Sequence, residues 1–547
     1  MAAESGKMNL FSSVALIVGA CIGSAIFSIS GITVFYAGPS AILSWIIAAL
    51  IYSGYGLVVV GLARRFPRSG GIFLFPKRTI GGKAGSFWGF VSGWGYVVSN
   101  IIAIAFSAIC MGAYLHAGFP SLNSGVIVSI VACVVSLAVL LCGGKASQRL
   151  QNLLVALLVC TMAIYCCTAL FGGAMDFSAF GNFFTSGSKG TFGFAGAVPL
   201  AMVAYGGCVA IAFMAEDVQN ASRTIPRALV IGLGVVSVLY ALTVFSIVGT
   251  LPQAALAGKP ELRLVPLFAS VTDGSLSVYP WLTKVISVCV SVALLTTIIA
   301  LLRVNSRAVQ AMSAEGLLPE FLFKENKAGV PWPALCVMTL LAVALCLFHK
   351  YTEQFISLGA VLNVASMAIT CVSLAICKRG KKIMLPVSVV TVFLLCYIPE
   401  ILSSGSGLWI FTAAVYLLGL VVYLVCSRVC KPRVSGFVIH GKGKGKLYGM
   451  PTANLRPYKG EALPEYGVWA TKVVTGGREF KALTNVGLRP SVDDSKEPTI
   501  ETMIVDFQGE IYGEEMTVIF CKYIRPTRKF ADLAELRTQI EKDLLVF

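Results

Sequence analysis

Up to about residue 427 the chain is a succession of long apolar runs separated by short polar segments. A helix needs about 20 apolar residues to cross roughly 30 Å of hydrocarbon, and this pattern predicts about twelve spans. They fall near 9–33, 40–63, 86–116, 124–142, 151–171, 193–215, 227–250, 281–302, 333–349, 353–377, 383–402 and 407–427. After Arg428, Lys431, Pro432 and Arg433 the pattern shortens to alternating segments such as Thr499 to Phe507 and Met516 to Phe520, broken by Gly- and Asp-rich turns. Alternation with period two predicts antiparallel strands. Leu533, Leu536, Ile540 and Leu544 then recur at helical spacing and predict one closing helix over Phe530 to Leu545. Several strands with one helix predict a small β-barrel. The chain therefore divides into a membrane region, 1–430, and a water-soluble region, 431–547.

Composition agrees with that division. Only 13% of residues are charged and 57% are apolar, with a mean hydropathy of +0.82, values that place the chain in a lipid bilayer. The net charge of +17 does not point to nucleic acid, because the basic residues sit in short loops between apolar runs. Arg64, Arg65, Arg68, Lys77, Arg78 and Lys83 follow the second span, Lys145 and Arg149 the fourth, and Arg223 and Arg227 the sixth. Arg303, Arg307, Lys324 and Lys327 follow the eighth span, and Lys378, Arg379, Lys381 and Lys382 the tenth. The opposite loops carry Lys189, Lys259, Arg263 and Lys350 alone. Positive loops face the cytoplasm, so this asymmetry predicts a multi-pass protein of the plasma membrane with both termini cytoplasmic. The first apolar stretch is too long and too glycine-rich for a signal peptide. The 17 cysteines lie mostly in apolar segments without paired spacing, and imply neither a disulfide framework nor a zinc site.

Two spans are interrupted at matching places. The first contains Gly19-Ala20-Cys21-Ile22-Gly23-Ser24-Ala25-Ile26-Phe27, and the sixth contains Tyr205-Gly206-Gly207-Cys208. Glycine pairs let a membrane helix unwind, and unwound backbone at bilayer depth is tolerated where it lines a cavity and offers amides and carbonyls to a ligand. The competing reading is that these glycines only let helices pack closely. Their pairing in two spans favours the first reading, with Gly19, Ile22, Gly23, Ser24, Ala25, Tyr205, Gly206 and Gly207 as candidate transport-substrate residues.

The membrane region resembles the amino acid/polyamine/organocation permeases. Gly19 to Phe27 is similar to that family's first-helix motif, with Ala25 where glycine is common. Leu62 to Gly71 followed by Gly89-Phe90-Val91-Ser92-Gly93-Trp94 resembles its second cytoplasmic loop and third helix. Glu216 to Asn220 with Arg223 to Ala228, then Arg307, Glu315 to Pro319 and Pro331, resemble its later loops. The resemblance covers about residues 8–427 and implies a leucine-transporter-type α-helical fold with two five-helix inverted repeats, alternating access, and substrate held at the broken helices. Cys208 and Val209 stand where relatives often carry an aromatic residue and a glutamate, so the substrate is not fixed by the likeness. The membrane region is poor in ionisable residues, which favours a neutral substrate and leaves sodium coupling, proton coupling and facilitated diffusion open.

In the soluble region, His440-Gly441-Lys442-Gly443-Lys444-Gly445-Lys446 leads through Gly449 into Pro451-Thr452-Ala453-Asn454. Unhindered amides and lysines suit phosphates, while Thr452 and Asn454 offer oxygen ligands to a hard cation. Alone, the lysines also fit a juxtamembrane basic linker, and Glu501 a solvated strand residue. This region resembles riboflavin kinase. The loop and Pro-Thr-Ala-Asn are followed in order by Gly467-Val468, Asn485 to Pro490, Glu501 before Asp506-Phe507, Tyr512-Gly513, Ile524-Arg525 and Lys529-Phe530. Trp469 and Ser491 depart from the usual tyrosine and threonine, and the adenylyltransferase half commonly joined to bacterial flavokinases is missing.

The resemblance implies ATP as co-substrate, riboflavin as acceptor and FMN as product. It implies nucleotide binding by Gly441, Gly443, Gly445, Lys446, Gly449 and Thr452. Thr452 and Asn454 would hold Mg²⁺, with Mn²⁺ or Zn²⁺ as alternatives, and Glu501 would be the base for the ribityl 5′-hydroxyl. Together the two regions suggest a permease fused to a kinase, with phosphorylation trapping riboflavin that the permease imports. The alternatives are a neutral amino acid permease with a flavin- or nucleotide-responsive tail, and a kinase anchored by a degenerate permease.

Overall fold

The computed structural model describes residues 8–545 except 24, 67–70, 122–124, 210, 212–217, 378–383, 404–405, 430–431, 441–451, 459–462, 476–477, 489–497, 506, 508 and 529–532. The chain forms two compact units. The first is Met1–Pro76, Gly89–Ser313 and Phe321–Leu420; the second is Lys77–Trp88, Ala314–Glu320 and Val421–Phe547.

Helices occupy all twelve predicted stretches. Among the described residues, eight helical segments are long and apolar enough to cross a membrane, one of them running from Leu10 to Ala63 through the first two predicted spans. Gly125–Leu141 and Trp332–Leu347 are apolar but shorter. Length and composition among the described residues therefore confirm a multi-helix membrane region but not the count of twelve. The first helix starts where Asn9 accepts a hydrogen bond from the Ser12 amide at 2.9 Å, an N-cap that satisfies one otherwise unpaired donor.

Both predicted breaks are present. The first helix runs Leu10–Cys21, stops at Ile22 and Gly23, resumes as a wide π turn over Ala25–Ile29 and continues as Ser30–Ala37. The sixth predicted span is helical over Thr191–Val203, then turns at Ala204 and Tyr205 into a tight 3₁₀ segment at 206–209. Carbonyls freed at a break need new donors in a dry interior, and here side chains supply them. The Tyr240 hydroxyl lies 2.6 Å from the Cys21 carbonyl and 3.2 Å from that of Ala204, joining the two breaks. Thr297 Oγ1, on the helix Trp281–Ala314, lies 2.9 Å from the Ile22 carbonyl and 3.2 Å from that of Gly19.

The second unit contains a closed six-stranded barrel. Its strands are β1 (Arg433–Ile439), β2 (Thr452–Pro457), β3 (Gly467–Thr475), β4 (Arg478–Leu488), β5 (Pro498–Ile504) and β6 (Glu515–Arg525), followed by a helix at Leu533–Leu544. They pair antiparallel in the order β1-β2-β5-β4-β3-β6, with β6 returning to β1. Closure leaves no free sheet edge. Every second residue turns inward: Val434, Val438, Leu455, Val473, Val486, Ile500, Met516 and Val518 fill the core. Buried threonines from three strands bond one another inside, Thr471 to Thr484 at 2.7 Å and Thr484 to Thr502 at 3.0 Å, so none of these hydroxyls is left unpaired. Within this same unit the Arg433 guanidinium pairs with Glu320 at 2.7 Å and donates to the Ala314 carbonyl, and the Arg78 guanidinium lies 4.7 Å over the Tyr458 ring.

Candidate functional site

The strand pairing brings chemically useful side chains onto one outer face of the barrel. Asn454 of β2 is in register with Glu501 of β5, and Glu501 with Asn485 of β4. Directly opposed residues on neighbouring strands have Cβ atoms about 4.5–5.5 Å apart and share a face, so these three form a row. The residues flanking Glu501, Ile500 and Thr502, are 1% and 0% exposed and point into the core. Period-two alternation therefore puts the Glu501 carboxylate outside, with Thr452 on the same side two residues before Asn454. Thr527 donates to Asn485 Oδ1 at 3.1 Å, which orients that carboxamide beside Glu501. The order β2-β5-β4, non-consecutive in sequence, makes the row possible.

Of the nucleotide-loop residues expected from the sequence, Gly441, Gly443, Gly445, Lys446 and Gly449 lie outside the described residues. Thr452, Asn454 and Glu501 are brought together. Asn485 is the residue that sequence reasoning undervalued: it stood inside a recognised motif, but its register with Glu501 follows only from the pairing of β4 with β5. Just before the loop, His440 stacks on Tyr512 with ring centroids 3.9 Å apart.

In the first unit a cavity opens at the two breaks. It has a volume of about 80 Å³, and Cys21, Gly23, Ala25, Gly206 and Gly207 are in its wall. Helix residues Asn100, Thr297 and Asn363 complete it. Among the described residues, no acidic or basic side chain lines it. Gly23, Ala25, Gly206 and Gly207 of the expected set therefore reach the cavity. Gly19 and Ile22 contribute carbonyls to Thr297 instead, Tyr205 is buried with its hydroxyl 3.3 Å from the Trp45 carbonyl, and Ser24 lies outside the described residues.

The two key glycines are also packing glycines. A Cβ on Gly23 would come within 2.6 Å of Thr297 Cγ2, and one on Gly207 would strike the Ala20 carbonyl. Close packing and an open cavity are thus one arrangement here, and the competing readings of these motifs merge. Asn100, Thr297 and Asn363 went unmarked in the sequence, where the available signal was a single amide or hydroxyl inside an apolar run.

Long apolar helices with two breaks meeting at a cavity define a membrane transporter, and the closed barrel with an outward Asn-Glu-Asn row defines a second domain. The chain belongs to the amino acid permease family: the family model described as Amino acid permease matches residues 8–429, and that described as Riboflavin kinase matches residues 430–546. An uncharacterized transporter of Mycobacterium tuberculosis is 28% identical over 341 residues, covering 62% of this chain and 73% of its own. The methylthioribose transporter of Bacillus subtilis is 26% identical over 428 residues, 74% of this chain and 87% of its own. The bifunctional riboflavin kinase/FMN adenylyltransferase of Bacillus subtilis is 37% identical over 112 residues, 20% of this chain and 35% of that enzyme. The protein is a membrane protein, a permease fused to a riboflavin kinase domain.

The kinase family implies ATP and a divalent metal. Among the described residues no cluster of three or more His, Cys, Asp or Glu side chains exists that could hold a metal by itself. A threonine hydroxyl and an asparagine carbonyl beside one carboxylate instead fit a hard cation that takes its remaining ligands from phosphates and water, as Mg²⁺ commonly does.

Proposed function

We propose that this chain is a bifunctional membrane protein: the permease domain, about residues 1–430, carries riboflavin inward, and the barrel, about 431–547, phosphorylates it on the cytosolic side. The observation that carries the kinase half is the in-register row Asn454, Glu501 and Asn485. Phosphoryl transfer needs positioned phosphates, charge neutralisation and an oriented nucleophile more than covalent chemistry. In this reading Glu501 accepts the proton of the ribityl 5′-hydroxyl. Thr452 and Asn454 would hold the divalent cation, which would supply charge neutralisation for the ATP phosphates, and Asn485, fixed by Thr527, orients the acceptor or the Glu501 carboxylate. Gly441, Gly443, Gly445, Gly449 and Lys446 take the phosphates.

The transport half is supported by an uncharged cavity beside the two breaks, which suits a neutral solute. The name of the methylthioribose relative also takes the family beyond amino acids. The basic-loop asymmetry supports cytoplasmic termini, which is where ATP is. Phosphorylation then adds about 1.5–2 negative charges and removes the product from the species the cavity accepts. Uptake is pulled by trapping. The test is labelled-riboflavin uptake into proteoliposomes with and without internal Mg-ATP, alongside a panel of neutral amino acids. ATP-dependent accumulation of FMN supports the reading. Entry of amino acids without riboflavin overturns it in favour of an amino acid permease with a regulatory tail.

A further inference from the structure

Most polar side chains around the permease cavity are already committed to the protein. Ser99 donates to the Gly359 carbonyl at 2.8 Å, Ser107 to that of Ala103 at 2.8 Å, and Thr297 serves the broken first helix. Asn100 and Asn363 are different: Asn100 leaves its Nδ2 buried without a hydrogen-bond partner. Asn363 is the one that stands at the break. Its Oδ1 is buried without a hydrogen-bond partner, and its Nδ2 would lie 3.0 Å from a Cβ placed on Gly206. The carboxamide therefore stands against the sixth-span break, in a residue that lines the cavity, and carries an acceptor without a partner. A buried acceptor left unpaired is costly, and in a binding cavity the group that can complete it is the ligand.

The surroundings of Asn363 select what that ligand presents. Ile356, Gly359, Ala360 and Asn363 all line the cavity from the helix Thr352–Cys377, and their spacing of 3, 4 and 7 residues is that of one helix face. Ile102 and Phe106 line the cavity from the helix Gly82–Gly118, and Ile102 packs against Leu358 and Leu362. An apolar, glycine-flattened wall bearing Asn363, with Asn100 as the cavity's other carboxamide, offers one unused acceptor and one unused donor and does not suit a polyol, which needs several partners. It suits a flat, neutral ring with one N–H donor in its plane.

We infer that Asn363 is a specificity-determining residue that accepts a hydrogen bond from an in-plane imide-type N–H of a neutral heteroaromatic substrate. Resting on the riboflavin reading above, that donor is N3–H of the isoalloxazine, with the ribityl chain directed away from this wall. The 5′-hydroxyl then plays no part in recognition at Asn363, and flavins lacking the ribityl chain bind the same place.

The experiment uses the full-length protein in proteoliposomes without ATP, measuring initial uptake of labelled riboflavin against lumiflavin and N3-methyllumiflavin as competitors. In the unmodified protein N3-methyllumiflavin competes about 10- to 100-fold more weakly than lumiflavin, the range set by one lost hydrogen bond to a buried acceptor. In Asn363→Ala and Asn363→Ser, each checked for monodisperse elution, lumiflavin weakens and the gap closes to about threefold or less. Equal competition by the two flavins in the unmodified protein overturns the inference without any variant, while riboflavin transport stands. A gap that persists in both folded variants overturns it as well. Absence of any flavin uptake or competition in the unmodified protein overturns this inference and the riboflavin reading together.

Discussion

Glu501→Gln separates chemistry from architecture in the barrel. Glu501 faces outward between Asn454 and Asn485, while its neighbours Ile500 and Thr502 hold the core and the threonine ladder. Glutamine has the same shape, keeps the strand pairing and can still hydrogen-bond, but it cannot take a proton at neutral pH. Removing a positioned general base typically costs 10²–10⁴ in rate, about 2.7–5.5 kcal/mol of transition-state stabilisation. A half-buried strand position whose side chain lies outside the core changes stability by about 0.5 kcal/mol when its shape is kept. The expected result is therefore a fall of about 10²–10⁴ in FMN formation with an unchanged unfolding midpoint and riboflavin still bound. The assay is FMN produced from riboflavin and Mg-ATP by purified full-length protein, separated chromatographically, with binding followed by flavin fluorescence. FMN formation within about threefold of the unmodified protein, far less than a lost base costs, would refute the role of Glu501. A large loss of the unfolding midpoint would show instead that the position is structural.

The same variant tests trapping: riboflavin should equilibrate across the membrane but not accumulate, whereas the unmodified protein with internal Mg-ATP should drive FMN past the external level. Gly207→Val should abolish uptake while FMN formation persists, because its Cβ would strike the Ala20 carbonyl; unchanged uptake would mean the breaks do not form the path. Chelation of divalent metal should stop FMN formation, and Asn454→Ala should raise the Mg²⁺ concentration needed to restore it, read from a metal titration of the rate. Thr484→Val should lower the stability of the barrel by about 1–3 kcal/mol, since the buried Thr471 and Thr502 hydroxyls lose a shared partner; chemical denaturation followed by Trp469 fluorescence measures it.

The sequence by itself determined where helices, strands and breaks would form, because these depend on local quantities. Run length against bilayer thickness located the helices, alternation located β5 and β6, and paired glycines marked both interruptions. It also supplied Thr452, Asn454 and Glu501 through an ordered motif series. What the tertiary structure decided is which distant residues meet. Nothing local says that β5 lies between β2 and β4, and hence that Asn485 stands in register with Glu501. Nothing local says that Tyr240 and Thr297 reach the carbonyls freed at the breaks, or that Gly207 is pressed against Ala20. Asn363 was invisible for the same reason. A lone amide in an apolar run is ordinary until the fold sets it against a broken helix and leaves its oxygen without a partner. Such partnerships depend on side chains brought together across as many as 278 positions of sequence, a separation over which residue patterning carries no signal.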